Sequence, residues 1–118
     1  MTSRMSEPVF KPDLHAVLSL AKETQYAANG IVSRTLYQGP TGRLVLFGFD
    51  KGQELSEHTS PYRAFVQVLA GECDFLLGKE WRRLKAGDLA HMTPGLPHAV
   101  KAVERFSMLL TLFPEPKV

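Results

Sequence analysis

One cysteine, Cys73, is all that 118 residues contain, which excludes an intramolecular disulfide framework and any multi-cysteine metal cluster. A single thiol fits a reducing compartment, and a cytoplasmic location is the expectation. Long apolar runs are missing too. Nothing approaches the roughly 18 apolar residues of a membrane span, and the opening stretch MTSRMSEPVFKP lacks the continuous apolar core of a signal peptide. Charge of one sign is also scarce. Fourteen Lys and Arg face 12 Asp and Glu, a net charge of +2, and only Arg82–Arg83 stand side by side. Nucleic-acid affinity without sequence preference needs many cations on one face, so nucleic acid is excluded as an expected partner. Internal repeats, low-complexity tracts and linkers are likewise missing. So are a nucleophile triad, a phosphate-cradling glycine loop and a pair of acid–base carboxylates.

What is present is an apolar chain cut by regular turns. The hydrophobic fraction is 44%, with seven Phe, enough to offset the entropy of ordering and so to argue against disorder. Gly30, Gly39–Pro40, Gly42, Gly52, Gly71, Gly78, Gly87 and Pro94–Gly95 separate short stretches rich in β-branched and aromatic residues. These stretches are Ile31–Tyr37, Arg43–Phe49, Ala64–Ala70, Cys73–Leu77, Asp88–Thr93, His98–Val103 and Phe106–Phe113. Evenly spaced turns between short strands predict an all-β domain, a sandwich or barrel. In Arg43–Phe49, Leu44 and Leu46 alternate with Val45, Phe47 and Phe49, so both faces are apolar; Ala64–Ala70 has a similar character. Strands apolar on both faces are covered on both sides, which predicts a second sheet and a partner chain, hence a homodimer.

Near the N-terminus, Asp13 after Pro12 could cap a short helix carrying Leu14, Val17, Leu18 and Ala21 at helical spacing, although the same residues could form a strand. The expected organisation is an N-terminal arm over residues 1–29, a barrel over 30–113 and an extended tail over 114–118. Cys73 reads as a buried strand residue without chemistry, Trp81 as a packing residue and Asp88 as turn chemistry. His15 reads as a bystander.

Two glycine-bounded hairpins carry the candidate chemistry. The first runs from Gly52 through His58-Thr-Ser60-Pro61 and Ala64 to Gly71; the second runs from Gly87 through His91, Thr93-Pro94-Gly95 and His98 to Ala102. The pair resembles the motifs of the cupin superfamily of RmlC-like jelly rolls, G-x5-H-x-H-x3–4-E-x6-G and G-x5-P-x-G-x2-H-x3-N. The resemblance covers roughly residues 30–113 and implies a double-stranded antiparallel β-helix, or jelly-roll barrel. The His58–Pro61 turn and the strand end Val68–Glu72 resemble small stand-alone members in particular.

Carried over position by position, the resemblance implies that His58 and His98 are metal ligands. Ser60 stands at the second histidine position, Ala64 at the glutamate position and Ala102 at the asparagine position. Two histidines and a carboxylate would form a facial set with open positions; Ala64 removes the negative charge, and a hydroxyl at Ser60 is a poor ligand. His91 could complete a three-histidine site if it faces inward with His58 and His98. The plainer alternative is that it faces solvent or a dimer partner. Tyr62 and Arg63 follow the His58 turn and are expected at the mouth of the pocket, beside Ser60 and Ala64.

Two functions follow from the resemblance. One is a small-molecule-binding protein with a degenerate two-histidine pocket, with or without a divalent iron, nickel, copper, manganese or zinc ion. The alternative is a metal-dependent enzyme, oxygenase- or isomerase-like, that uses His58 and His98 as ligands.

Overall fold

The computed structural model describes residues 7–115, which excludes the first six residues of the expected arm and the last three of the expected tail. Between them lie one helical turn, α1 (Leu20–Glu23), and nine strands. The strands are β1 (Ile31–Gly39), β2 (Gly42–Phe49), β3 (Glu54–His58), β4 (Arg63–Ala70), β5 (Glu72–Leu77), β6 (Glu80–Lys85), β7 (Leu89–Met92), β8 (His98–Ala102) and β9 (Phe106–Phe113). They form a five-stranded sheet in the order β1-β2-β9-β4-β7 and a four-stranded sheet in the order β3-β8-β5-β6. All pairings are antiparallel. The chain repeatedly crosses between the sheets, giving a jelly roll.

Because alternate strand residues face opposite ways, the ladders identify the inner face. On β9, Phe106, Met108, Leu110 and Leu112 pair with Phe49, Phe47, Val45 and Arg43 of β2. Phe49 and Phe106 are fully buried and stack with ring centroids 4.6 Å apart, closing one end of the barrel. They pack in one cluster with Val66 and Val68 of β4, Cys73 and Phe75 of β5, and Val100 of β8. Burial pushes the Cys73 thiol up to about 12, so at neutral pH it is an uncharged core group with little nucleophilic character. Arg43 lies at the opposite end of the same inner row as Phe49, about 20 Å away along the strand.

Several elements differ from the sequence expectation. Strands β3 and β6 are additional; they carry mostly polar, exposed residues and so lack the apolar alternation that marks the others. Trp81, expected to pack, is exposed. Leu84 points into the core, so alternation along β6 sends Trp81 to the outer face, paired across the ladder with Leu76. The helix capped by Asp13 does not form. Leu14 is 67% and Val17 99% exposed, so that face has nothing to pack against, and a short helix without a packed face is marginal in water. Instead α1 is a single turn that begins six residues further along, its N-cap Ser19 accepting the Lys22 N–H at 3.3 Å.

The second apolar face of β2 is covered by the chain itself rather than by a partner. Val9 and Phe10 donate backbone hydrogen bonds to Thr35 and Leu36 on the edge strand β1, at 3.2 and 2.7 Å. Glu23 forms an ion pair with Arg34 at 3.3 Å, and Leu46 on that outer face is only 2% exposed in the single chain. At Gly48 the Gln25 carbonyl approaches so closely that a Cβ would overlap it. Gly48→Ala is therefore expected to destabilise the fold by about 1–3 kcal/mol by forcing the arm away from β2. Urea denaturation would measure it, and an unchanged midpoint would show that the arm is not tightly seated there.

Candidate functional site

The mouth of the barrel is built from one pairing across the smaller sheet and one row across the larger. His58 ends β3, His98 begins β8, and the two stand opposite each other in the ladder. Their rings meet edge to face, with centroids 4.2 Å apart. A register shift between Leu55 and His58 brings this about: the β3 ladder is broken, and His58 re-pairs directly across from His98. The turn before β8 is held by Gly95, whose backbone φ of +81° suits glycine. Its N–H donates to the Ser60 carbonyl at 2.8 Å, fastening the two histidine-bearing hairpins together.

Both imidazoles are oriented by the backbone in the same way. Nδ1–H of His58 donates to the Ser56 carbonyl at 2.7 Å, and Nδ1–H of His98 to the Leu96 carbonyl at 2.8 Å. With the proton held on Nδ1, each Nε2 keeps its lone pair. Among the described residues no hydrogen bond occupies either Nε2. His58 is exposed and His98 half-buried. Burial lowers the pKa of His98, and the neighbouring His58 lowers it further, against the opposing pull of the Leu96 carbonyl.

A cavity of about 140 Å³ lies against the two rings, walled also by Ser60, Tyr62, Ala64 and Thr93, with Met92, Leu110 and Leu112 at its base. The Ser60 hydroxyl accepts the Tyr62 N–H at 3.2 Å, so it shapes the turn. Ala64 and Met92 are inward-facing partners in the β4–β7 ladder, and Ala64 also pairs with Leu112. Where a carboxylate would stand, the wall carries a methyl group.

The structure brings His58, His98, Ser60, Tyr62 and Ala64 together but turns His91 and Arg63 away. Both lie on the outer face with Phe65, because each is an odd number of residues from the inward-facing Ala64 or Met92. His91 stacks on Phe65 at 4.8 Å, and its Nε2 accepts from Arg63 Nη1 at 2.7 Å. Arg63 also pairs with Glu115 at 2.5 Å. The lone pair that His91 would give a metal is already engaged, on the wrong side of the sheet. Among the described residues no group of three or more His, Cys, Asp and Glu is placed to hold an ion. His15 is exposed on the arm.

A second cavity of about 140 Å³ shares Tyr62 and Leu112 with the first and extends to Gln38 and Arg43. These two residues were not singled out from the sequence. The signal was available in the alternation of β2: counting back in twos from Phe49 reaches Arg43.

The family profile described as "Cupin domain" matches residues 45–112, more than half of the chain. The chain belongs to the cupin family. Among solved structures, this cupin is similar to a conserved protein of unknown function from Streptococcus pyogenes, with 33% identity, a TM-score of 0.81, and 94% of this chain and 97% of that one covered. A cupin 2 conserved barrel domain protein from Leptotrichia buccalis is 34% identical, with a TM-score of 0.77 over 81% of this chain and 47% of that one. A cupin superfamily protein from Desulfitobacterium hafniense, 22% identical, has the same fold, with a TM-score of 0.82 over 92% of this chain and all of that one. A search of curated proteins finds no match. No helix among the described residues is long and apolar enough to cross a membrane.

The lowered pKa of His98 has a definite consequence for the metal-free protein. A histidine whose folded pKa lies below its ordinary value of 6.5 binds a proton less readily in the native than in the unfolded chain. The stability it contributes is present above that ordinary value and is lost as pH falls through the folded pKa. Thermal unfolding with chelator present, followed from about pH 7.5 to about pH 5, should show this loss, and His98→Gln should reduce it. An identical pH profile in the variant would remove His98 as a source.

Proposed function

We propose that this cupin binds a small molecule in the pocket between His58 and His98. The observation that carries the reading is the matched pair of rings, each with Nδ1–H on a backbone carbonyl and each with a free Nε2 lone pair at one small cavity. Two neutral imidazoles can accept hydrogen bonds from a ligand. They also suit a divalent iron, nickel, copper, manganese or zinc ion. Such an ion would be held by His58 and His98 alone, since Ala64 and Ser60 supply no charge and His91 is turned away. A two-nitrogen donor set favours an exchangeable ion whose remaining positions go to water and ligand. A metal-dependent oxygenase or isomerase would use the same pair, but the missing third protein ligand places binding ahead of catalysis.

The reading includes a homodimer and a cytoplasmic location. The arm covers β2, yet the outer face over β4 and β7 keeps Phe65 partly exposed, Leu89 65% and Phe113 41% exposed, and a second copy would remove this apolar surface from water. The one thiol is buried in the barrel, as suits a reducing compartment.

Nickel titration of the tag-free, metal-free protein tests the pocket. One ion per chain is expected, with affinity reduced about tenfold or more in both His58→Ala and His98→Ala. Binding that survives either substitution, or no binding at all, would remove the metal from the reading. Light scattering tests the assembly: a dimer is expected, and Leu89→Arg should yield folded monomers. A wild-type monomer would overturn it.

A further inference from the structure

We infer that Arg43 takes the carboxylate of the ligand, so that the pocket is built for a monoanionic acid with a small flat or apolar body; this rests on the reading of the His58–His98 pocket as a small-molecule site. The register places Arg43 in the inward row of the larger sheet. Gln38, Arg43, Leu112, Ala64 and Met92 pair in succession across β1, β2, β9, β4 and β7. Arg43 and Ala64 are two strands apart in that row, about 10 Å, and the cavity beside each is lined by Tyr62 and Leu112.

The electrostatic situation of Arg43 sets it apart. Among the described residues the other five arginines each have a carboxylate partner: Arg34 has Glu23, Arg63 has Glu115, Arg82 has Glu80, Arg83 has Asp74 and Arg105 has Asp50. Among the same described residues Arg43 has only a hydrogen bond to the Thr35 hydroxyl, at 3.4 Å. It is also the only residue lining either cavity, the histidines aside, that can carry a charge at neutral pH. An arginine fork matches a carboxylate with two parallel hydrogen bonds, and the Gln38 amide beside it is a further donor.

Charge and size narrow the ligand class. One cation and no carboxylate suit a single negative charge, whereas a phosphate dianion would leave one charge uncompensated. A cavity near 140 Å³ holds about one aromatic ring, so the ring or an equivalent apolar group lies between Tyr62 and Leu112 and the histidines. A polar oxygen at its far end would meet the free Nε2 atoms. An acid with its carboxylate on a short arm, one ring and a terminal hydroxyl has these features in this order.

The probes are 4-hydroxyphenylacetate and its uncharged analogue 4-hydroxyphenylacetamide, titrated into the metal-free full chain and followed through the ring-proton NMR signals of His58 and His98. Both are expected to move these signals, with the acid binding at least about tenfold more tightly than the amide. Arg43→Gln should erase the preference and Arg43→Lys should retain part of it; the side chain is exposed, and an unchanged melting temperature would confirm that the variants fold. Equal binding of acid and amide by the wild type, a preference that persists in Arg43→Gln, or failure of both probes to move the histidine signals would overturn the inference. The nickel titration does not involve Arg43. If nickel binds through both histidines while the probes fail, only the ligand class falls. If both experiments fail, the pocket falls with it.

Discussion

Strand β9 pairs with β2 along one side and β4 along the other, and the register of those two ladders determines which side chains reach the mouth of the barrel. From Phe106 to Leu112 the β2–β9 pairing runs without interruption. The β4–β9 pairing is regular from Arg63 to Val68. Leu112 therefore stands between Arg43 and Ala64 on the inner face, while Thr111 and Phe65 face out. A slip of one residue would exchange the two sets. It would bring Phe65 inside, put Ala64 outside and leave Phe49 and Phe106 without their buried stack. The apolar closed end thus holds the polar open end in register.

Legibility in the sequence followed the strength of local patterning. The jelly roll was readable because turn glycines separate alternating strands, and because Gly52, His58, Gly87, Gly95 and His98 keep the spacing of the cupin motifs. The pairing of His58 with His98 could not be read in the same way, since it depends on a broken ladder between Leu55 and His58. His91 was undecidable by alternation alone: the pattern says that it shares a face with Leu89, but not which face. Its outward orientation follows from Met92 and Ala90 filling the core. The helix was misplaced because Leu14, Val17, Leu18 and Ala21 satisfy helical spacing while Leu14 and Val17 have no surface to meet. Arg43 was passed over because charged residues at strand ends are common on surfaces, and only the cross-sheet row reveals its direction.

The two histidines illustrate how backbone hydrogen bonds organise a site. Each ring is tied through Nδ1 to a carbonyl two residues before it, so its tautomer is set by its own hairpin. The Gly95–Ser60 hydrogen bond then fixes one hairpin against the other. Both rings leave acceptor atoms at the cavity. The proximity that organises the pair also opposes placing positive charge on both rings, and burial of His98 adds to this.

Ala64 has a consequence beyond the missing ligand. A carboxylate at that position would stand in the same inward row as Arg43, two strands away, and would repel any anion approaching across Leu112. It would also draw on the field of the guanidinium, as the carboxylate partners of the other arginines do. With a methyl group there, the inward row carries the Arg43 cation with no carboxylate beside it among the described residues. On the proposed reading, the methyl group that costs the pocket a ligand for a cation also leaves its wall open to an anion.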